Sequence, residues 1–495
     1  MIKKIAFFFL LGTSILLNAQ QELTSFRIGM KKSNAFIEDV VPIINQSDGT
    51  ISLFLIDSKN VYGYLLNDQF KLIDSLNLEN KNKNYASIIG YCMSKDKDYS
   101  LLLTDNFTNK FAIVTFSYSG HQSTLNDLDL DFKNEVYIQS INHNNKIYLF
   151  TVTKKSSIIN IYSIDNKGLT SKKTLNFNNK KFIDFKNKEV TLYQLLLPNN
   201  SILKGKPLIG SSKDRAQIVK INNDIINPID ITSSLSKFYV QNNTAFLTFD
   251  ENKDFTQLIS IDLSSFENNS LQIKKPFFDI EENHKKTNSF LLDNNIFMIS
   301  STKDAVTFVV KDIKDNAQIA QFTSLKKDTI DFKNSPIIQV GGYYDKYREF
   351  ENTQKFLRKI FFGDVGISAY KSDNTYQVFI GGKVDYNAGG AGMVMGTSIS
   401  SRPSWSGTES YNPTYFAYNL YAGTLSTYVK CLFDTSFNHL DGEIKPNIYD
   451  QIKEYKEIQK TTPNAKTIFK YKDFYILGSY FPWPHQVYRL RKFED

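Results

Sequence analysis

Ile51-Ser52-Leu53-Phe54-Leu55-Ile56, then Asp57-Ser58-Lys59-Asn60, then Val61-Tyr62-Gly63-Tyr64-Leu65-Leu66: an apolar run, a polar turn and a second apolar run of equal length. Short runs rich in β-branched and aromatic residues read as strands. Asp and Asn tolerate left-handed backbone and bond to their own main chain, so the residues between the runs read as a turn. The passage is a β-hairpin.

The same shape recurs along the chain. Leu101-Leu102-Leu103 runs into Asp105-Asn106 and returns through Phe111 to Phe116, and Ile147 to Val152 passes Lys154-Lys155 and returns through Ile158 to Ile164. Further copies run from Ala245 through Asp250-Glu251-Asn252 to Leu263, from Ile296 through Lys303-Asp304 to Val310, and from Ile367 through Ser372-Asp373-Asn374 to Ile380. Ile259, Ile261 and Leu263 fall on one face of their run, as do Tyr376, Val378 and Ile380, and this period of two marks half-buried strands. The starts near 51, 99 and 146 are about 48 residues apart and those at 245 and 296 about 51, with room for one unit between, for which Lys206 to Ile221 is the candidate.

A β-rich repeat of about 40 to 50 residues is the mark of a propeller, in which small sheets that cannot bury both faces alone stack radially. The expected fold is therefore all-β, a β-propeller of seven blades, with six or eight also compatible and a pair of β-sandwiches as the alternative. Phe26 to Met30 and the final hairpin, Phe474 to Leu477 with Val487 to Leu490, are placed to close the ring in one blade. One domain is expected over residues 20–495, preceded by a signal peptide at 1–19.

Two patches near the C-terminal third depart from the strand pattern. Asn447 can cap a helix carrying Ile448, Ile452 and Tyr455 on one stripe, within about 447–460. Thr353 to Phe362 pairs Phe356 with Ile360 and Leu357 with Phe361, and stops at Gly363. Both are expected to pack on the propeller rim. Gly381 to Ser406 reads as a long Gly/Ser-rich loop between strands. It lacks the spacing of a dinucleotide or phosphate loop. Met393, Val394, Met395 and Trp405 are its candidate contact anchors, the alternative being that they tuck onto the rim.

The N-terminus bears on destination. Met1-Ile2-Lys3-Lys4 is a basic start, Ile5 to Leu11 and Ile15-Leu16-Leu17 are apolar, and cleavage is expected between Ala19 and Gln20. That order is a secretory signal, too short to span a bilayer. A short anchor helix is the competing reading. No long apolar run follows, so no transmembrane segment is expected after cleavage. The formal charge of +8 includes Lys3 and Lys4, and the remaining excess is interleaved with Asn, Asp and Glu rather than clustered, which argues against a nucleic-acid binder. Cys92 and Cys431 are the two cysteines, expected as buried free thiols although an exported compartment permits a disulfide.

Sites for known chemistries do not assemble in the sequence. His121, His143, His284, His439 and His485 are scattered, so no zinc spacing forms. No Gly-x-Ser-x-Gly elbow is present. Asp127, Asp129 and Asp131 begin like a calcium loop, but Phe132 stands where the loop needs Gly, so a solvated acidic strand is expected instead. No catalytic residue, cofactor or metal is expected. A pair of carboxylates set in space, as in a glycosidase, is invisible to this reading.

Asn18-Ala19-Gln20 and hairpins such as Phe246-Leu247-Thr248-Phe249-Asp250 resemble uncharacterised exported β-propeller-like proteins of Bacteroidota. The resemblance is compositional and carries over no functional residues. Asp74-Ser75-Leu76 and Asp328-Thr329-Ile330 resemble the O-glycosylation acceptor of such proteins. The expected function is a non-enzymatic binding or scaffold protein of the cell envelope, periplasmic or extracellular, with an envelope protein or glycan as partner. The alternative is an exported carbohydrate-active hydrolase or lyase with its site in the propeller channel.

The intact mass of the naturally secreted protein is expected to match a chain beginning at Gln20, with any excess mass in whole sugar units. A secreted protein that retains residues 1–19 contradicts the signal reading.

Overall fold

In the computed structural model, the described residues are 21–494 apart from 30–36, 38, 80, 83, 86, 95–97, 106–107, 131, 198–215, 278–283, 342–346, 373, 385–411, 424, 460–462 and 483–485. The apolar runs form strands and the strands form seven antiparallel-based sheets of four or five strands each, with one further two-stranded ribbon at Phe182–Ile183 and Glu189–Val190. We number the large sheets as blades I to VII and their strands from the axis outward.

Blade I comprises Asp39–Ile44, Ile51–Ile56, Val61–Leu66 and Leu72–Leu78. Blade II comprises Ser87–Met93, Asp98–Thr104, Phe111–Ser117 and Gln122–Leu128. Blade III comprises Glu135–His143, Lys146–Thr153, Ile158–Asp165 and Gly168–Asn176. Blade IV comprises Ser236–Gln241, Thr244–Phe249, Phe255–Asp262 and Asn268–Lys274, and blade V Lys286–Leu292, Asn295–Ser301, Ala305–Asp312 and Gln318–Leu325. Blade VI runs Asp364–Ser372, Thr375–Lys383 and Ser426–Asp434, then takes its outer strands, Ile337–Val340 and Arg348–Phe350, from earlier in the chain. Blade VII runs Asn464–Tyr471, Phe474–Phe481 and Val487–Phe493, and its outer strand is Glu22–Arg27 from the N-terminal end.

The first strands of adjacent blades touch, as in blades VII and I, II and III, and V and VI, whereas the fourth strands are mostly exposed. Apolar faces pack blade to blade around the circle. One cluster joins VII to I through Tyr488, Phe26 and Tyr64, the next joins I to II through Phe54 and Phe116, and a third joins II to III through Phe111 and Tyr162. A fourth joins III to IV through Phe150 and Phe238, and the largest runs through IV, V and VI to Phe493 of blade VII. Aromatic pairs seat these joints: the rings of Phe54 and Phe116 lie 5.0 Å apart, and those of Phe150 and Phe238 5.1 Å. Tilted and edge-on pairs at such distances add specific attraction to the burial of their area.

All six hairpins expected from the sequence are present as paired strands. Ring closure between the two ends also forms, four residues earlier than Phe26 to Met30: the paired strand is Glu22–Arg27. The unit expected at Lys206 to Ile221 is not a blade. Within the described residues its Val219–Ile221 is a short strand parallel to Ser236–Gln241, on the axis side of blade IV. The seventh blade is instead the closing one.

The two ends of the ring differ. Connections between first and second strands, and between third and fourth, are short. In blade III this connection is Asn144-Asn145, both left-handed with φ of 48° and 57°, a two-residue turn whose twist suits a hairpin. Third strands end on a residue that folds the turn back on itself: Asp165, Asp262, Asp312 and Asp434 each accept a bond from the backbone N–H two residues on. The opposite end holds every helix among the described residues: α1 (Leu192–Leu196), α2 (Ile229–Thr232), α3 (Thr353–Phe362), α4 (Pro413–Gly423) and α5 (Ile448–Ile458). We call the two ends the turn face and the helix face.

The helices expected at 353–362 and from 448 form with those limits. Asn447 caps α5 by accepting from the N–H groups of Tyr449 and Asp450, and Ile448, Ile452 and Tyr455 are buried. On α3, Phe356, Leu357 and Ile360 are buried and Phe361 is half-buried. The glycines at the start of the expected 381–406 loop belong to a strand, Thr375–Lys383. A Cβ on Gly382 would stand 3.2 Å from the Cα of Ile360, so this glycine lets α3 lie directly on blade VI. Cys92 and Cys431 are buried free thiols in blades II and VI.

Phe26 ties the closing strand to blade I, its ring 5.3 Å from Tyr64 and 5.9 Å from Tyr488. Phe26→Ala is expected to cost about 3 kcal/mol of stability in a urea titration. A change below about 0.5 kcal/mol would show that the ring holds without this strand.

Candidate functional site

Polar side chains near the axis join neighbouring blades. Lys220, on the short axial strand, donates from Nζ to the carbonyl of Ser140 in blade III at 3.1 Å, and Asn223 donates to the carbonyl of Leu291 in blade V at 3.1 Å. Burial lowers the Lys220 ammonium to about 8. Asn288 of blade V donates to the carbonyls of Ser233 and Val365 at 2.9 and 2.8 Å, which ties the segment around α2 to blade VI. A Cβ on Gly366 would stand 3.0 Å from the backbone N of Ser233, so α2 is seated tightly against the first strand of blade VI. Asn412, which caps α4, donates to the carbonyl of Val40 in blade I at 3.4 Å and to the Thr467 hydroxyl of blade VII.

A fully buried ionic group lies between blades IV and V. Asp250 follows the second strand of blade IV, and its carboxylate meets the Nζ of Lys237 at 3.1 Å and of Lys275 at 3.0 Å. Thr256 and Ser289 donate hydroxyl bonds to it at 2.7 and 2.8 Å. Lys237 also donates to Asn288 at 2.6 Å, and Lys275 to the carbonyls of Asp250 and Asn252. Burial alone would raise the Asp250 carboxyl, but the two ammonium groups and the two hydroxyls outweigh it and hold it below the usual carboxylate range. Each group is satisfied by its neighbours and none faces an open space. This cluster therefore locks two blades together rather than offering a reactive group.

The helix face over blade VI holds a small cleft of about 10 Å³, room for about one water, lined by Ile226, Asn227, Asp230, Phe379, Tyr421 and Tyr428, among others, most of them buried. Asp230 accepts from the Ser426 hydroxyl at 2.7 Å. Behind the cleft stands Asp450, which accepts from Tyr421 at 2.6 Å, from the backbone N–H of Asn447, and from Lys430 at 3.4 Å. Burial, first, and the charge of Asp450 raise the Tyr428 phenol far above its ordinary value, so it is a neutral donor at any physiological pH. An aromatic stack holds α4 and α5 together: the ring of Tyr449 lies 5.6 Å from those of Tyr418 and Tyr421, and Lys456 sits 3.9 Å above Tyr418.

Beside the cleft, the end of α3 presents Phe362, 71% exposed, next to Val384. The rings of Phe361 and Phe362 lie 6.0 Å apart, and Lys303 from blade V stands 5.5 Å above Phe361.

The candidate contact residues Met393, Val394, Met395 and Trp405 lie outside the described residues, as do Ala19 and Gln20 at the expected cleavage point. What the structure adds is where that segment is rooted: between Val384 and Asn412, both on the helix face. Among the acidic run, Asp127 and Asp129 are exposed, Asp127 on the outer strand of blade II, as expected of a solvated acidic strand; Asp127 also accepts from the Tyr85 hydroxyl at 2.5 Å, and Asp131 lies outside the described residues. Among the described residues no group of three His, Cys, Asp or Glu side chains could hold a metal, and no helix is long and apolar enough to cross a membrane. Ser75 and Thr329 of the expected acceptor motifs are both exposed.

Sequence reasoning missed the cleft and its helix. Asn412-Pro413 is a cap followed by proline at the first helical position, which could have announced α4. The run Tyr415-Phe416-Ala417-Tyr418 has strand composition and masks it. Thr191 and Gln194 form a reciprocal capping box that could likewise have revealed α1.

No protein-family model and no curated protein matches the chain. Solved structures that are similar to it include the Dos1 propeller, at 10% identity over 95% of this chain and 95% of that chain with a TM-score of 0.30. They also include a subtype N10 neuraminidase-like protein of a little yellow-shouldered bat isolate, at 7% identity over 73% and 94% with a TM-score of 0.28. A chimera of ACO and RPE65 aligns at 9% identity over 60% of this chain and 63% of its own length, with a TM-score of 0.29. None of the three bears on what this chain does.

Asp250→Asn leaves two buried ammonium groups without their counter-charge and is expected to cost about 3 to 5 kcal/mol. The depressed carboxyl also sets a pH dependence. Its contribution is present above the unfolded-state value near pH 4 and fades as pH falls toward the lower folded value. Urea titrations from pH 7 to pH 2 are therefore expected to lose stability less steeply in Asp250→Asn than in the parent. Parallel acid profiles would refute this role.

Proposed function

We propose that this chain is a non-enzymatic binding or scaffold protein of the cell envelope, exported by its N-terminal signal, and that it works through its helix face. The observation that carries the reading is the carboxylate arrangement at the cleft. Asp230 alone among the described lining residues brings a carboxylate to it, whereas Asp450 behind it is occupied by a helix cap, Tyr421 and Lys430. Hydrolysis of a glycosidic bond by the usual route needs two carboxylates flanking one bond. With room for about one water and its lining side chains mostly buried, the cleft seats no sugar ring, so a partner is met on the exposed surface of the helix face around it. An envelope protein or a glycan is the partner class proposed for that surface.

A propeller hydrolase of the kind weighed as the alternative would set its reacting groups in the channel, and here Lys220, Asn223, Asn288 and Asn412 are each taken up in bonds that join neighbouring blades near the axis. Propeller function resides in site residues rather than in the fold, so the alternative is judged at Asp230.

Incubation of the purified protein with envelope polysaccharide, followed by assay of newly released reducing ends, is expected to give no release above the blank for either the parent or Asp230→Asn. Release by the parent that Asp230→Asn abolishes would overturn the binding reading in favour of the hydrolase.

A further inference from the structure

We infer that the end of α3 is a membrane-contact site that docks the helix face on an anionic lipid surface. This rests on the proposal that the helix face is the working one and names a surface for it. Phe362 at the end of α3 is 71% exposed, and Val384, which follows the strand Thr375–Lys383 and lies beside Gly363, is 38% exposed, so two exposed apolar residues lie near one another. Around them the charge is of one sign on the helix: α3 carries Lys355, Arg358 and Lys359 and no carboxylate. Lys359 lies 5.1 Å from the ring of Phe350 and feels the charges of Arg358 and Arg348, and Lys303 stands over Phe361.

The nearby carboxylates do not cancel this collar. Glu351, just before the α3 cap, pairs with Lys333 at 3.7 Å, Asp304 pairs with Lys326 at 3.3 Å, and Glu349 accepts from Tyr347 at 2.5 Å. Asp364 is the remaining acidic neighbour, exposed at the start of the following strand. An apolar tip within a cationic collar is the arrangement that an anionic bilayer accepts: rings enter the headgroup boundary while lysines and arginines meet lipid phosphates. A soluble acidic polymer would satisfy the cations and leave Phe362 in water, which is why the lipid surface is the better fit. A single aromatic tip gives weak and reversible attachment.

The test is co-sedimentation of the full secreted chain with vesicles of phosphatidylethanolamine and phosphatidylglycerol, against vesicles of phosphatidylcholine alone. Binding is expected to the anionic vesicles only and to fall as salt rises. Each surface cation contributes roughly fivefold to such binding, so Lys355→Glu with Arg358→Glu is expected to lower affinity by at least tenfold. Phe362→Ser is expected to lower it severalfold. Lys146→Glu with Lys472→Glu removes the same charge from the exposed turn face and is expected to change affinity less than twofold. All substituted side chains are exposed, and unchanged thermal melting confirms each fold. The proposal is overturned by equal binding to both vesicle types, by no binding, or by a turn-face pair as damaging as the α3 pair. It is also overturned if heparin competes fully while Phe362→Ser has no effect, which would assign the collar to a soluble polyanion. Vesicle binding absent while protein or glycan capture persists removes the membrane site and leaves the broader reading intact.

Discussion

Blade-to-blade packing of apolar faces is the constraint on which the other features of this protein depend. A four-stranded sheet of the size seen here has two faces and can cover neither by itself. The clusters joining Phe26 to Tyr64, Phe54 to Phe116, Phe111 to Tyr162 and Phe150 to Phe238 are each shared by two blades, so no blade is complete until its neighbour is in place. The circle then has to close. It does so by bringing Glu22–Arg27 onto Val487–Phe493, so that strands from opposite ends of the sequence complete one sheet. The cohesion of the ring is thus a long-range property that no single hairpin possesses.

Closure also explains the unequal ends. Tight turns with left-handed Asn and Asp residues leave little chain on the turn face, whereas connections on the opposite end must travel between strands or from blade to blade. The helices, the cleft and the exposed Phe362 accordingly share one face. Inside the ring, polar groups lie in a dry place, and the sequence meets this with mutual satisfaction. Lys237, Lys275 and Asp250 neutralise one another, and amides of Asn288 and Asn412 take up backbone carbonyls of neighbouring blades. Such a network is costly if one member is lost and holds one arrangement when complete.

Much of the fold was legible because its signals are local. Period-two alternation, Asp or Asn at strand ends, the Asn447 cap and the Gly363 stop all act within a few residues, and each marks an element that forms. What escaped depends on distance in space. Val219–Ile221 looked like half of a hairpin because apolar pattern does not say whether a strand lies within a blade or inside the channel. Gly381 and Gly382 looked like the start of a loop because a glycine needed for close helix approach has the same letter as one needed for freedom. The outer strands of blade VI come from residues 337–350, ahead of its inner strands, and no local pattern reports such an exchange of order. The site was harder still. Asp230, Phe379, Tyr421 and Tyr428 come from distant segments and share no motif, and Asp250 read as one residue of a polar turn with nothing to connect it with Lys237.

The central claim is that the helix face, and not the turn face, meets the partner. Hydrogen exchange of the mature protein, measured with and without an excess of its native envelope fraction, tests this most directly. The account predicts new protection at residues 353–363 and 412–423, with the turns at 144–145, 242–243 and 472–473 unchanged. Protection confined to those turns, with the helices exchanging as before, would contradict it.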